Sequence, residues 1–142
     1  MVLNSYRVNQ YRDKLNKAID KSNLAEMFSS LMTMWVEAEA TDIYFEPFED
    51  YWIIGIRVDW FPDELIQYPK NLHDSIISKF KIESGQMNPN VSDMLQEAKV
   101  CVITDTYKEA NILAKIVPTA LWEKLEMHMI KEQKKETNPS LW

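Results

Sequence analysis

The chain has 142 residues, 46% of them hydrophobic and 27% charged, with a formal net charge of −6. One domain's length and enough apolar mass for a core exclude a disordered chain. The acidic balance excludes general nucleic-acid affinity, which requires an excess of Lys and Arg to neutralise phosphates.

Residues 4–20 place Tyr11, Leu15, Ala18 and Ile19 at helical spacing, so 1–22 reads as an N-terminal helix ahead of the main domain, 23–130. Asn23 followed by Glu26 has the form of a capping box, in which polar side chains satisfy the open amides of a first turn. It predicts a helix over 24–38 with Leu24, Met27, Phe28, Leu31, Met32, Trp35 and Ala38 on one core-facing stripe.

A hairpin follows, from alternation over 41–46 and 51–58. Pro47 suits the start of a turn and not a central strand, which predicts a four-residue loop, 47–50, and pairs Glu46 with Tyr51. That register sets Phe45 opposite Trp52, Ile43 opposite Ile54 and Thr41 opposite Ile56 on the core face. On the other face Tyr44 meets Ile53, Asp42 meets Gly55, and Arg57 lies diagonal to Asp42.

Beyond it come a short strand around 64–68, a break at Pro69, and a helix over 71–84. In that helix Leu72, Ile76, Ile77 and Phe80 face inward and Gly85 is the stop. Residues 92–97 suit a helical turn or a loop equally. Strands are expected over 98–104 and 109–117, joined through 105–108; 123–130 alternates as a strand does, although its residues would also suit a helix; the tail 131–142 is polar and carries the one basic run, "KEQKK". The order α-α-β-β-β-α-β-β-β predicts an α+β domain with helices packed on an antiparallel sheet.

Candidate chemistry is sparse. With only two glycines, Gly55 and Gly85, no Gly-rich loop can cradle a phosphate. Cys101, the single cysteine, excludes an internal disulfide, fits a reducing compartment, and in mid-strand reads as a small buried hydrophobe. His73 and His128 stand apart, so no metal site is expected, and His73 falls on the polar side of its helix. Glu49 and Asp50 read as ordinary turn acids. Asp42 with Arg57 reads first as a cross-strand ion pair and second as an arginine positioned by a carboxylate for function. No apolar run approaches the roughly 20 residues of a membrane span, and the N-terminus lacks a signal-type apolar core. A cytoplasmic protein without cofactor or active site is the expectation.

The segment Ala40-Thr41-Asp42-Ile43-Tyr44-Phe45-Glu46-Pro47, then Gly55-Ile56-Arg57-Val58-Asp59, resembles the signature of the N-terminal domain of type II secretion and type IV pilus assembly ATPases. The family pattern is Ala-Ser-Asp-Ile-His-x-Glu-Pro, followed at this spacing by Arg-x-Arg-Ile-Asp-Gly. "IISKFKI" (76–82) is similar to the family's Ser-Arg-Ile-Lys segment, and "VPTALWEKLEMHMI" (117–130) to its Leu-Pro-Thr-x-x-Gly-Glu-Lys strand. The likeness spans about 24 to 130.

Departures fall on functional positions. The family's His is Tyr44, its first Arg is Gly55, its Asp-Gly ends as Asp59-Trp60, and its helix Arg is Lys79. Its Pro-Gln-Asp-Gly-Arg block reads "LQEAK" (95–99) here, and no Walker A sequence occurs in the chain. In the family, arginines of this domain approach nucleotide held by the adjacent ATPase domain; Arg57 alone keeps such an Arg.

The resemblance implies a PAS-like domain that docks on or regulates a bacterial secretion or pilus machine without catalysis. Its partner would be an ATPase subunit, the protein that the ATPase drives, or a second copy of itself. Partner-binding candidates are Arg57, Asp42, Asp59, Lys79 and Glu46. Alternatives are a small-ligand sensor, an accessory or structural protein of a mobile element that reuses the fold, and a fragment of a longer ATPase, although Met1 and the ending Leu141-Trp142 suit natural termini.

Overall fold

A computed structural model of the chain describes residues 5–58, 61–104 and 109–130. Asp59, the 105–108 connection and the basic tail lie outside them. The elements are α1 (Ser5–Asp20), α2 (Leu24–Ala38), β1 (Asp42–Pro47), β2 (Tyr51–Val58), β3 (Phe61–Pro69), α3 (Lys70–Ser84), β4 (Gln96–Ile103), β5 (Glu109–Pro118) and β6 (Glu123–Met129). Their order is the expected α+β pattern. β3 is longer than predicted, and β4 starts at Gln96, which resolves part of the ambiguous 92–97 stretch.

All strands join one antiparallel sheet in the order β3-β2-β1-β6-β5-β4. Two three-stranded meanders, each of local hairpins, are stitched through β1 and β6, where Asp42–Phe45 pairs with Leu125–His128. α3 makes the connection between them.

Asn23 caps α2 by accepting from the Glu26 amide at 3.2 Å, while its own side-chain amide donates to the Glu26 carboxylate at 3.1 Å. At the other end Glu39 adopts φ 54°, a left-handed conformation that costs a non-glycine residue about 1 kcal/mol. Bonds offset that cost: Ala40 N–H reaches the Trp35 carbonyl, and the Trp35 indole N–H donates to Ala40 O at 2.7 Å. The predicted stripe is inside, and Ser30, Thr33 and Met34 are buried as well, because α1 packs along α2.

The β1–β2 register differs from the expected one. Phe45 lies opposite Ile54, Ile43 opposite Ile56, Tyr44 opposite Gly55, and Asp42 directly opposite Arg57. The turn is the two residues Glu49 and Asp50, closed by Phe48 N–H on Tyr51 O at 2.8 Å. Pro47 therefore sits in the strand, where its missing N–H is harmless. It falls between hydrogen-bonded pairs with β2, and β6 pairs no further than Phe45. A slip of two residues, unlike a slip of one, keeps every side chain on its face, so the expected core survives.

Between β2 and β3 the register jumps at Ile54/Gly55, leaving Leu65 as a bulge. The Arg12 guanidinium from α1 bonds the carbonyls of Leu65 and Glu64, each at 2.9 Å, and so satisfies acceptors the ladder leaves open. The core lies on one face of the sheet: Ile43, Phe45, Trp52, Ile54, Ile116, Leu125 and Met127 meet Leu31, Trp35, Ile76 and Phe80 of the helices. Phe28 bridges Phe45 and Phe80, with 6.0 Å between centroids on each side.

Candidate functional site

The helices cover one side of the sheet, and the other side carries the residues singled out in the hairpin. Strand pairing lines up Arg57, Asp42, His128, Leu113 and Lys99 in one cross-strand row. Gly55, Tyr44, Glu126, Lys115 and Glu97 form the next row. Charges of opposite sign are neighbours along both rows, an arrangement that stabilises an uncovered antiparallel face in water.

Asp42 is the hub of the first row. Its carboxylate accepts from the Thr41 hydroxyl at 2.9 Å and from His128 Nδ1–H at 2.5 Å, and it stands 3.6 Å from the Arg57 guanidinium. Asp42 is 18% exposed, whereas Arg57 and His128 remain 45% and 40% exposed. The carboxylate thus has three partners, while the arginine side chain stays about half exposed. The partnership of Asp42 and Arg57 follows the sequence; its direct geometry and the third member, His128, do not.

Tyr44 lies across Gly55: a Cβ at position 55 would come within 2.4 Å of the phenol ring. The family's Arg could not stand there with this Tyr in place. Burial, then the negative charge of Glu46, holds the Tyr44 phenol above its ordinary pKa, with Arg57 pulling the other way. Glu46 shares this face, opposite Ile53 on β2. Lys79 does not. It lies on α3, on the helical side of the sheet, paired with Glu83 at 3.1 Å. The five candidate residues therefore form no single cluster: Arg57, Asp42 and Glu46 share a face, Lys79 is across the sheet, and Asp59 is outside the described residues.

Two expectations are overturned. Cys101 is exposed, because β4 is an edge strand and the cysteine points to its uncovered side. His73 is not solvated but 1% exposed. Its ring stacks on Trp52 at 3.4 Å, its Nε2–H donates to the Glu123 carbonyl at 2.5 Å, and its Nδ1 accepts from the Tyr68 hydroxyl at 2.8 Å. Both ring nitrogens are thereby fixed in a neutral imidazole. Desolvation pushes its pKa down to about 4, although the Glu123 carbonyl works against that shift, and burial raises the Tyr68 phenol.

Beside this stack the Lys81 ammonium bonds both Glu123 oxygens, at 3.0 and 2.9 Å, and the Val91 carbonyl at 2.6 Å. Among the described residues no buried side-chain nitrogen or oxygen lacks a partner, so this polar core acts as a clamp between α3 and β6. The sequence held a signal for His73, which precedes Ile76, Ile77 and Phe80 at helical spacing. It held none for the pairing of Lys81 with Glu123. Among the described residues no group of three or more metal-type ligands occurs, and no helix is long and apolar enough to cross a membrane.

No protein-family model matches the chain. It is 26% identical, over 80% of its length, to the type II secretion system protein HxcR of Pseudomonas aeruginosa, covering 24% of that protein. It is 23% identical, over 83% of its length, to the type IV pilus assembly ATPase PilB of Myxococcus xanthus, covering 21% of it. With the type II secretion system protein E of Pectobacterium carotovorum subsp. carotovorum it shares 22% identity over 91% of its length and 28% of the relative's. The chain spans about a quarter of the length of these curated relatives. The resemblance to secretion and pilus assembly ATPases, read from the motifs at Ala40–Asp59, is borne out across most of the chain.

Proposed function

We propose that this chain is a non-catalytic docking domain of a secretion or pilus-assembly machine, working in the cytoplasm through the uncovered face of its sheet. The observation that carries the reading is the similarity of most of the chain to one part of proteins from such machines. The partner is an ATPase subunit of that machine or the protein it drives. Arg57 is the contact residue, because it is half-exposed and held in orientation by a carboxylate that His128 and Thr41 also fix.

Both glycines support a non-catalytic role. Gly55 lies beneath Tyr44 in β2, and Gly85 closes α3 at φ 67°, so neither opens a phosphate-binding loop. The test is twofold. Tagged chain expressed in its own cell should co-purify a secretion or pilus ATPase, and purified chain should neither bind ATP in calorimetry nor turn it over. ATP hydrolysis by pure chain, or recovery of no component of such a machine, would overturn the proposal.

A further inference from the structure

Among the described residues β4 is an edge strand, paired with β5 alone. In an antiparallel ladder every second residue of such a strand turns its N–H and C=O outward, where they form a template for another strand. The Gln86 side chain occupies one of these positions. Its Nε2 donates to Lys99 O at 2.6 Å, and its Oε1 accepts from Lys99 N–H at 3.1 Å, so one amide imitates a rung of a neighbouring strand. At the head of β4, the Gln96 side chain ties down the adjoining loop through the Asn88 amide at 2.6 Å and carbonyl at 3.1 Å. The outward groups of Lys99, midway along the edge, are therefore occupied.

The second half is open. Cys101 and Ile103 share the outward phase of Lys99, no described residue bonds their outward groups, and the Ile103 side chain is 65% exposed. Beside them a groove of about 350 Å³ runs between α2, α3 and β4, lined chiefly by Phe28, Met32, Phe80 and Val102, with Lys79 and Glu83 at its side.

We propose that this edge joins a second copy of the same chain, β4 against β4, antiparallel about a two-fold axis. A two-fold contact must be complementary to itself, and three features here are. Antiparallel pairing of one strand with its own copy is. The apolar groove faces its equivalent. Lys79 and Glu83, opposite charges one turn apart on α3, are complementary in charge to their own reversed image. The register follows from which rungs are free. Cys101 pairs with Ile103 of the second copy and Ile103 with its Cys101, giving about four main-chain hydrogen bonds, and Val102 falls on the axis as a non-hydrogen-bonded pair. Pairing further toward Lys99 would evict Gln86. This contact uses the β4 edge, four strands across the sheet from Arg57 on β2, and stands whether or not the machine partner is the one proposed above.

Sedimentation velocity of the whole chain across a wide concentration range tests the contact, with three variants. Wild type should show a concentration-dependent dimer. Ile103→Pro removes one outward N–H without touching a bond to β5, and Ile103→Lys places a charge on the edge; each should abolish the dimer, and the second covers a folding failure of the first. Val102→Cys in a Cys101→Ser background should give a disulfide-linked dimer on mild oxidation, because non-hydrogen-bonded partners approach to about 4.5 Å between Cα atoms. A monomer at every concentration, which would leave the edge to an extended peptide of another protein, overturns the proposal. So does a dimer that survives both Ile103 substitutions, or a Val102→Cys chain that does not cross-link.

Discussion

His73 lies flat on Trp52, with centroids 3.4 Å apart and planes 7° from parallel, and its two nitrogens are spent on Tyr68 and the Glu123 carbonyl. The charged imidazolium has no place in that stack. An unfolded chain takes up this proton near pH 6.5, whereas the folded chain refuses it until about pH 4. The stability contributed by the neutral ring is thus complete above pH 6.5 and is lost as pH falls towards 4. Over that window the loss amounts to about 3 kcal/mol, one proton across the shift. Denaturant melts of wild type and His73→Gln from pH 7.5 to 4 check this: the variant starts lower and has the flatter acid limb.

Trp35 and Trp52 are both buried, one on α2 and one on β2, as the sequence implied. Replacing either by Ala should cost roughly 3–5 kcal/mol. Trp35→Ala also removes the indole bond to Ala40 that holds the left-handed end of α2, and Trp52→Ala unstacks His73. Chemical denaturation reads both. A melting temperature within a degree or two of wild type would contradict the packing.

Gly55 and Tyr44 should behave as a coupled pair. Gly55→Ala drives a methyl into the Tyr44 ring, which must swing off the strand, and should destabilise by about 1–3 kcal/mol. In a Tyr44→Ala background the same substitution should be neutral or stabilising, because the obstacle is gone and alanine loses less backbone entropy than glycine. Equal costs in the two backgrounds would show that the contact does not exist.

Arg57 and Asp42 form a part-exposed pair, so its stability contribution should be small. Arg57→Ala should cost no more than about 1 kcal/mol, since Asp42 keeps Thr41 and His128. Asp42→Ala should cost more, because it strips Arg57, His128 and Thr41 of their shared partner at once. A double-mutant cycle should return a coupling of a few tenths of a kcal/mol up to about 1 kcal/mol.

Element order and core face were legible because they depend on periodicity, which the sequence carries locally. The hairpin register was off by two residues at Pro47: the rule against proline in central strands assumes partners on both sides, and β6 stops short of it. The face assignment survived because the error was even. Burial of His73 was signalled only by its helical spacing to Ile76, Ile77 and Phe80, while the carbonyl that completes its burial comes from Glu123, 50 residues away. Exposure of Cys101 was not legible, since it depends on which face of β4 the helices cover. The bond from Arg12 to the bulge at Leu65 spans 53 residues and has no local signature. Of the candidate site, Asp42 and Arg57 could be found together; the hub role of Asp42 needed β6 in place.

The docking claim is tested most directly by the affinity of purified chain for the secretion or pilus ATPase recovered with it, comparing wild type with Arg57→Ala and Arg57→Lys. Alanine should weaken binding by tenfold or more while the melting curve barely moves. Lysine, which keeps the charge but not the planar fork of donors, should restore only part of it. Equal affinity for all three proteins would contradict the assignment of the uncovered face as the docking surface.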